Sequence, residues 1–492
     1  MRHTNSASRR LFLKQATALS GLGLATPFAL NLAALGSSAA QTANDYKALV
    51  CIFLQGGNDH FNTVLATDAP SWASYTAVRN QVPESLVLPK DQLQVLSPTN
   101  NQGRSFGLHP VMAGSKALFN DDKRLAILAN VGTLIEPIDT KEQYETQSRR
   151  LPTKLFSHND QANTWQALGP EGTAVGWGGR MADLVAADNG QSLFTAISAT
   201  GNSVWLSGQQ VQQYQVGPTG PVRFGTNLDQ NGVSVVHGSP EVAAALERIA
   251  RSNHTGSVFG ADLAAIAGRS IDAEKTLSQN LPADNFEALG ADNELLYTSP
   301  ANGAQILNPL AQQLRMVARL IAARSPLGMK RQVFFVNMYG FDTHDNQLKN
   351  HADLLARLDH ALRYFNTTID RLEVTNAVTT FTASDFGRTF TSNGDGTDHG
   401  WGSHHFVMGG AVKGGDIYGA FPTLGTKNTD GNKFDNSPDQ LQNGALLPRI
   451  SVEQYGATLA KWFQPTITAQ ELRLIFPKLE NFAGNTNLGF MA

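Results

Sequence analysis

The run Gln332-Val333-Phe334-Phe335-Val336-Asn337 reads as a buried strand, and so does Ala377-Val378-Thr379-Thr380-Phe381-Thr382. Between them Leu354, Leu355, Leu358, Leu362, Phe365, Ile369 and Leu372 recur at helical spacing, which predicts a long amphipathic helix. A strand, a crossover helix and a second strand imply parallel pairing, so the two strands are expected to be neighbours in one sheet. Asp342 follows the first strand in Gly340-Phe341-Asp342-Thr343-His344, and Asp385 follows the second in Ser384-Asp385-Phe386-Gly387. Both carboxylates then lie beyond the carboxyl ends of parallel strands, the edge at which ligand sites of open α/β sheets gather.

A third strand is expected at Lys47-Ala48-Leu49-Val50-Cys51-Ile52-Phe53-Leu54, apolar on both faces and halted by Gln55-Gly56-Gly57-Asn58-Asp59. Leu125 to Val131 supplies a fourth, and a helix is expected near Ala304 to Ala323. Residues from about 170 to 300 are the variable part: from 190 to 235 they are rich in Gly, Gln, Ser and Thr, and they close on the linker-like Thr298-Ser299-Pro300-Ala301-Asn302-Gly303. The expectation is an α/β fold with a mostly parallel central sheet flanked by helices. Residues 41–492 form one such domain, with an insertion at about 170–300. The only cysteine, Cys51, sits inside a strand, which rules out an intramolecular disulfide and reads as core.

The first forty residues have a different character. Ser8-Arg9-Arg10-Leu11-Phe12-Leu13-Lys14 precedes a weakly apolar stretch, Ala16 to Leu35, followed by the small residues Ser38-Ala39-Ala40. That order is a twin-arginine signal peptide over residues 1–40. Gly21, Gly23, Pro27 and Asn31 interrupt the apolar stretch, which argues against a retained membrane anchor. The expected partner in export is the twin-arginine translocase, which accepts folded cargo, and the expected destination is the periplasm or the medium. Removing four Lys/Arg and no acid takes the formal charge from -3 to -7. Such a chain has no electrostatic case for nucleic acid or anionic lipid.

Four segments place Asp or His beside strand ends: Gly57-Asn58-Asp59, Asp342-Thr343-His344, Ser384-Asp385, and Asp398-His399-Gly400-Trp401-Gly402-Ser403-His404-His405. Carboxylates and imidazoles brought together from separate strands suit one or two divalent cations. Each member also has a plainer reading. Asp59 serves as a turn residue after two glycines, Asp342 with His344 as a loop and helix cap, Asp385 as an ion pair with Arg388, and His404 or His405 as a packed core histidine.

The strand-end acids, together with Phe406-Val407-Met408-Gly409-Gly410-Ala411-Val412-Lys413-Gly414-Gly415, resemble the alkaline phosphatase superfamily. More closely, the chain resembles the exported bacterial family called domain of unknown function 1501 over essentially its whole mature length. The motifs that carry this are Leu54-Gln55-Gly56-Gly57-Asn58-Asp59, Gly107-Leu108-His109-Pro110, Phe156-Ser157-His158-Asn159-Asp160-Gln161 and Gly176-Trp177-Gly178-Gly179-Arg180. The superfamily resemblance implies an alkaline phosphatase-like fold and a two-metal phosphoryl or sulfuryl transfer site. Asp59 and Asp385 would hold one cation, and Asp342, His344 and His399 or His404 the other. A nucleophile at a helix N-terminus, where free amides favour an anion, corresponds to Ser157. His158 is the second catalytic candidate, and with Arg180 an anion contact.

The chain also departs from that pattern. Phe386 stands where these hydrolases usually carry a metal-binding His after the second Asp, and Asp342 and His344 are separated by one residue rather than three. The motif for a modified cysteine is absent. The expected function is exported, metal-dependent hydrolysis of a small anionic phosphate or sulfate ester. Its rival is a non-catalytic binding or assembly protein that keeps the fold, with no protein partner identified by the sequence. Replacing Arg9 and Arg10 together by lysine should leave the precursor in the cytoplasm, because the export receptor reads the paired guanidinium groups. Fractionation showing normal accumulation of the double variant outside the cytoplasm would refute the route.

Overall fold

Strand β1, Lys47–Gln55, has seven consecutive buried residues from Ala48 to Leu54, as its two-faced apolar pattern requires. Around it the computed structural model, which describes residues 46–492 apart from 82–83, 230–232, 253–255, 428–429 and 483–485, builds a ten-stranded sheet. The signal peptide read at residues 1–40 lies outside the described residues. The remaining strands in chain order are β2 (Leu125–Gly132), β3 (Ala196–Ser198), β4 (Tyr214–Gly217), β5 (Gly220–Pro221), β6 (Arg331–Tyr339), β7 (Val378–Ser384), β8 (Ser403–Gly409), β9 (Ile417–Tyr418) and β10 (Ile450–Ser451). They run in the order β9-β2-β8-β7-β1-β6-β3-β4-β5, with β10 added to β2. Pairing is parallel from β7 through β1, β6 and β3 to β4, and between β2 and both β9 and β10; β8 runs antiparallel to β7 and β2, and β5 to β4. The fold is therefore α/β with a mixed, mostly parallel central sheet.

The expectation that β6 and β7 are neighbours is corrected. They are parallel, but β1 lies between them, with Leu54 opposite both Met338 and Ser384. The crossover therefore spans one intervening strand, and the apolar β1 fills the gap.

Helices cover both faces. Alternate residues of β1 divide between two cores: Ala48, Val50, Ile52 and Leu54 enter the first, Leu49, Cys51 and Phe53 the second. Helices α1 (His158–Ala167), α2 (Trp177–Val185) and α5 (Val452–Phe463) contribute to the second core, and α3 (Pro309–Ala322) and α4 (Gln347–Arg371) to the first. Cys51 is a buried free thiol in the second core. Of the stretch read as variable, residues 196–221 add β3, β4 and β5 to the far edge of the sheet, while the remainder includes small ladders and the helices Pro240–Ala250 and Val258–Asn280. No helix among the described residues is long and apolar enough to cross a membrane.

The turn after β1 is fixed by two constraints. Gly56 and Gly57 have φ of +115° and +88°, and a Cβ on Gly56 would lie 2.4 Å from the Asp342 backbone nitrogen, so only glycine lets the exit of β6 pass. Two residues on, Asp59 is fully buried against Arg79, the last residue of the helix Ala69–Arg79. The guanidinium grips both carboxylate oxygens, at 2.5 and 2.9 Å, and also donates to the carbonyls of Thr389 and Phe390. Arg79→Ala should cost about 3–5 kcal/mol, because it strands a buried carboxylate. Chemical denaturation checks this; a loss under 1 kcal/mol would mean that solvent reaches Asp59 as readily as it reaches a surface acid.

Candidate metal centre

Three chain exits meet at the carboxyl edge of the sheet. Asp342 lies three residues past β6, Asp385 directly follows β7, and between them the turn after β1 sends the Gly56 N–H to Asp385 Oδ2 at 3.2 Å. After Asp385 the chain folds into a hairpin, Arg388–Ser392 with Thr397–His399, whose register sets His399 opposite Arg388. Helix α1 brings His158 to the same place as its first residue.

His158 bridges the two acids. Its Nδ1 is 2.7 Å from Asp385 Oδ2 and its Nε2 is 3.3 Å from Asp342 Oδ2. On the other Asp342 oxygen converge His399 Nε2 at 3.3 Å, His344 Nε2 at 3.1 Å and Arg388 Nη1 at 2.7 Å. His158, Asp342 and His399 each present one ligand atom within 4.8 Å of the others. Ligand atoms on a tetrahedral cation with bonds of about 2.0–2.1 Å lie about 3.3 Å apart, so these separations suit a shared ion.

The far side of each imidazole is already taken. Asp385 Oδ2 receives His158 Nδ1, the Phe156 carbonyl receives His399 Nδ1 at 2.6 Å, and Asp398 Oδ1 lies 3.3 Å from His344 Nδ1. Carbonyls and carboxylates only accept, and for His158 and His399 the nearer acceptor lies on the Nδ1 side, so their ring protons sit on Nδ1 and their Nε2 lone pairs face inward; His344 has an acceptor at similar distance on each side. His344 Nε2 and His399 Nε2 are 3.0 Å apart, close enough for one proton or one cation to lie between them. His158 Nε2 is likewise buried with no hydrogen-bond partner. A metal-binding His typically gives its other N–H to an acceptor of this kind.

The electrostatics differ from group to group. Burial opposes ionisation of Asp342, but the Arg388 hydrogen bond and charge outweigh it and hold its carboxyl below the ordinary value. The hydrogen bond that His158 donates to Asp385 raises the His158 pKa, which favours the protonated ring over a lone pair for a metal. Burial pushes the Asp385 carboxyl up, offset in part by His158 and by the Gly56 amide. Burial lowers the His399 pKa, which favours the neutral ring. Asp342, Asp385 and Asp398 against the single guanidinium of Arg388 leave an excess of negative charge at a partly exposed site.

The residues expected from the sequence thus separate. Asp342, His344 and His399 come together, joined by His158, which sequence reasoning had placed with the nucleophile. Asp385 is present but stands behind His158 rather than at the point of convergence. Asp59 is not available as a ligand: Arg79 occupies both its oxygens, and Gln347 Nε2 adds a bond at 2.6 Å. His404 is also absent from the cluster. It is buried inside β8, its Nδ1 accepting from the Asn130 N–H at 3.0 Å and its ring packed on His60 and Phe421. Arg180 is no anion contact here, since it donates to the carbonyls of Ile475, Ala167 and Val175. Ser157 N-caps α1, yet its Oγ donates to Asp160 Oδ2 at 2.8 Å. Arg388 pairs with Asp342, not Asp385. Phe386 packs its ring against His158 and His399, at 4.8 and 4.7 Å between centroids.

Sequence reasoning named Asp398 among the strand-end acids without giving it a role, and missed the Phe156 carbonyl and Arg79. Asp398 had a signal, its place beside His399; Arg79 had none.

A family model described as "Protein of unknown function (DUF1501)" matches residues 46–443. The chain belongs to this family. For this DUF1501 member no curated protein gives a match. Among solved structures, the crystal structure of Ps i-CgsB in complex with k-i-k-neocarrahexaose aligns over 89% of this chain and 77% of its own, at 8% identity and a TM-score of 0.33. That likeness is too slight to bear on fold or site.

If the cluster holds a divalent transition metal, His399→Ala should abolish its stoichiometric uptake. His404→Ala should leave uptake intact and cost about 1–3 kcal/mol, by stranding the Asn130 N–H. Elemental analysis and denaturation of both variants test the assignment, which falls if His404→Ala is the one that loses metal.

Proposed function

We propose that this DUF1501 protein is an exported hydrolase of phosphate or sulfate esters that works with one divalent transition metal held by His158, Asp342 and His399, with His344 beside them. The observation that carries the reading is the inward convergence of the Nε2 atoms on Asp342 while the ring Nδ1 atoms are engaged behind. Imidazole nitrogens favour a borderline metal such as zinc over calcium or magnesium. The orphaned His158 Nε2 and the excess of negative charge fit such an ion. We further propose that the sheet is of the alkaline phosphatase kind, on the support of strand-end acids at the carboxyl edge of mostly parallel strands.

A metal bound there supplies Lewis acidity toward an ester oxygen. The protein's own groups do the rest. Asp385, the Phe156 carbonyl and Asp398 orient the three imidazoles. Arg388 keeps Asp342 ionised. Phe386 shields the inner side of His158 and His399 from water. Ser157, at the first turn of α1, has its hydroxyl proton directed at the Asp160 carboxylate, an arrangement that suits a nucleophile with an acceptor for its proton. The same hydrogen bond also supports the second reading, a binding or assembly protein, since it equally serves to fix the helix start.

Purified wild type should bind one metal per chain and hydrolyse at least one member of a panel of phosphate monoesters, phosphate diesters and sulfate esters. His158→Ala and Asp342→Asn should lose both properties, whereas Ser157→Ala should lose turnover and keep the metal. Because its hydrogen bond to Asp385 raises the His158 pKa above the ordinary imidazole value, protons should compete with the metal for this ring and occupancy should fall as the pH is lowered. Metal bound without turnover on any ester selects the binding reading; absence of metal from wild type refutes the centre.

A further inference from the structure

Leu155 and Phe156 are the central residues of a tight turn, closed by the Ser157 N–H donating to the Lys154 carbonyl at 3.2 Å. Of these two only Phe156 is left-handed, with φ of +71°. That arrangement favours glycine or asparagine at the third position of the turn, and a bulky side chain is disfavoured there. An unfavourable backbone held in place by its surroundings directs attention to what it achieves. Here the Phe156 carbonyl reaches His399 Nδ1 at 2.6 Å, and the next two residues are the N-cap of α1 and His158. One turn therefore sets both imidazoles.

We propose that Phe156 is a positioning residue: its left-handed backbone holds the carbonyl on His399 Nδ1, fixes the proton there and leaves Nε2 as the lone pair facing Asp342 and His344. Only the use of that lone pair by a metal rests on the function proposed above; the position of the ring proton does not. The side chain has a separate task. It is half-buried against the apolar cluster of Leu134, Ile138 and Trp401.

Two substitutions separate backbone from ring. Phe156→Gly and Phe156→Val both delete the ring, but glycine accepts positive φ and β-branched valine rejects it. In metal-free protein, nitrogen-15 NMR of the imidazoles, with His399 assigned through His399→Gln, should show the Nδ1–H form in wild type and Phe156→Gly and its loss in Phe156→Val. Zinc affinity, measured by competition with a chromogenic chelator, should stay near the wild-type value in Phe156→Gly and fall about 10–100-fold in Phe156→Val. Thermal melts establish that each variant is folded. If Phe156→Val does not fold, Phe156→Ala, which tolerates positive φ less well than glycine, carries the comparison. An Nε2–H His399 in wild type, or glycine and β-branched variants that behave alike, overturns the proposal. If wild type takes no zinc while the tautomers follow this pattern, the metal reading fails and the positioning role stands.

Discussion

Everything at the carboxyl edge depends on the parallel pairing of β1 with a neighbour on each side. Backbone hydrogen bonding sets β7, β1 and β6 in register through Ser384, Leu54 and Met338, so three chains leave the sheet at one level. Strands lie about 4.8 Å apart, so Asp385 and Asp342 emerge one strand to either side of β1. A side chain the length of histidine spans that gap, which is how His158 touches both. Gly56 is the local condition for this closeness, since a side chain there would collide with the Asp342 backbone.

Two buried arginines then decide which acids remain usable. Arg79 takes both oxygens of Asp59 and binds that acid into the frame. Arg388 takes only one oxygen of Asp342 and, by its charge, keeps the carboxylate ionised beside three histidines. Residues of the same type, both at exits of adjacent parallel strands, thereby acquire different roles from the number of guanidinium bonds each receives.

The sheet was legible because its strongest signals are periodic: a two-faced apolar run for β1, an amphipathic helix for α4, and Asp342 and Asp385 directly past their strands. Strand order was less so. That β1 sits between β6 and β7 depends on contacts between residues 286 and 330 apart in sequence, which no local pattern encodes. At the site, Asp342, His344 and His399 were readable from their placement at strand ends. Asp59 was misjudged because its partner, Arg79, sits at the end of an unremarkable helix, and the motif alone does not register a neutralising cation. His404 was misjudged for a related reason: it lies inside β8, its ring buried on His60 and Phe421, and the density of histidines does not tell which of them lie within the strand. His158 was placed correctly in the fold but given the wrong neighbours, since helix α1 had no sequence tie to Asp385.

That distance along the chain has a thermodynamic consequence. His158 lies 227 residues from Asp385, and His399 lies 57 from Asp342 and 243 from Phe156. No folding intermediate that lacks the joined β6, β1 and β7 can assemble this set of donors, because the contacts of His158 and His399 close long loops. Affinity for an ion at this point would be a property of the completed native state alone. An ion bound there would add to the folding free energy in proportion to the logarithm of its concentration over its dissociation constant. Occupancy would thus serve as a readout of the native fraction, and fragments of the chain would carry the motifs without the affinity.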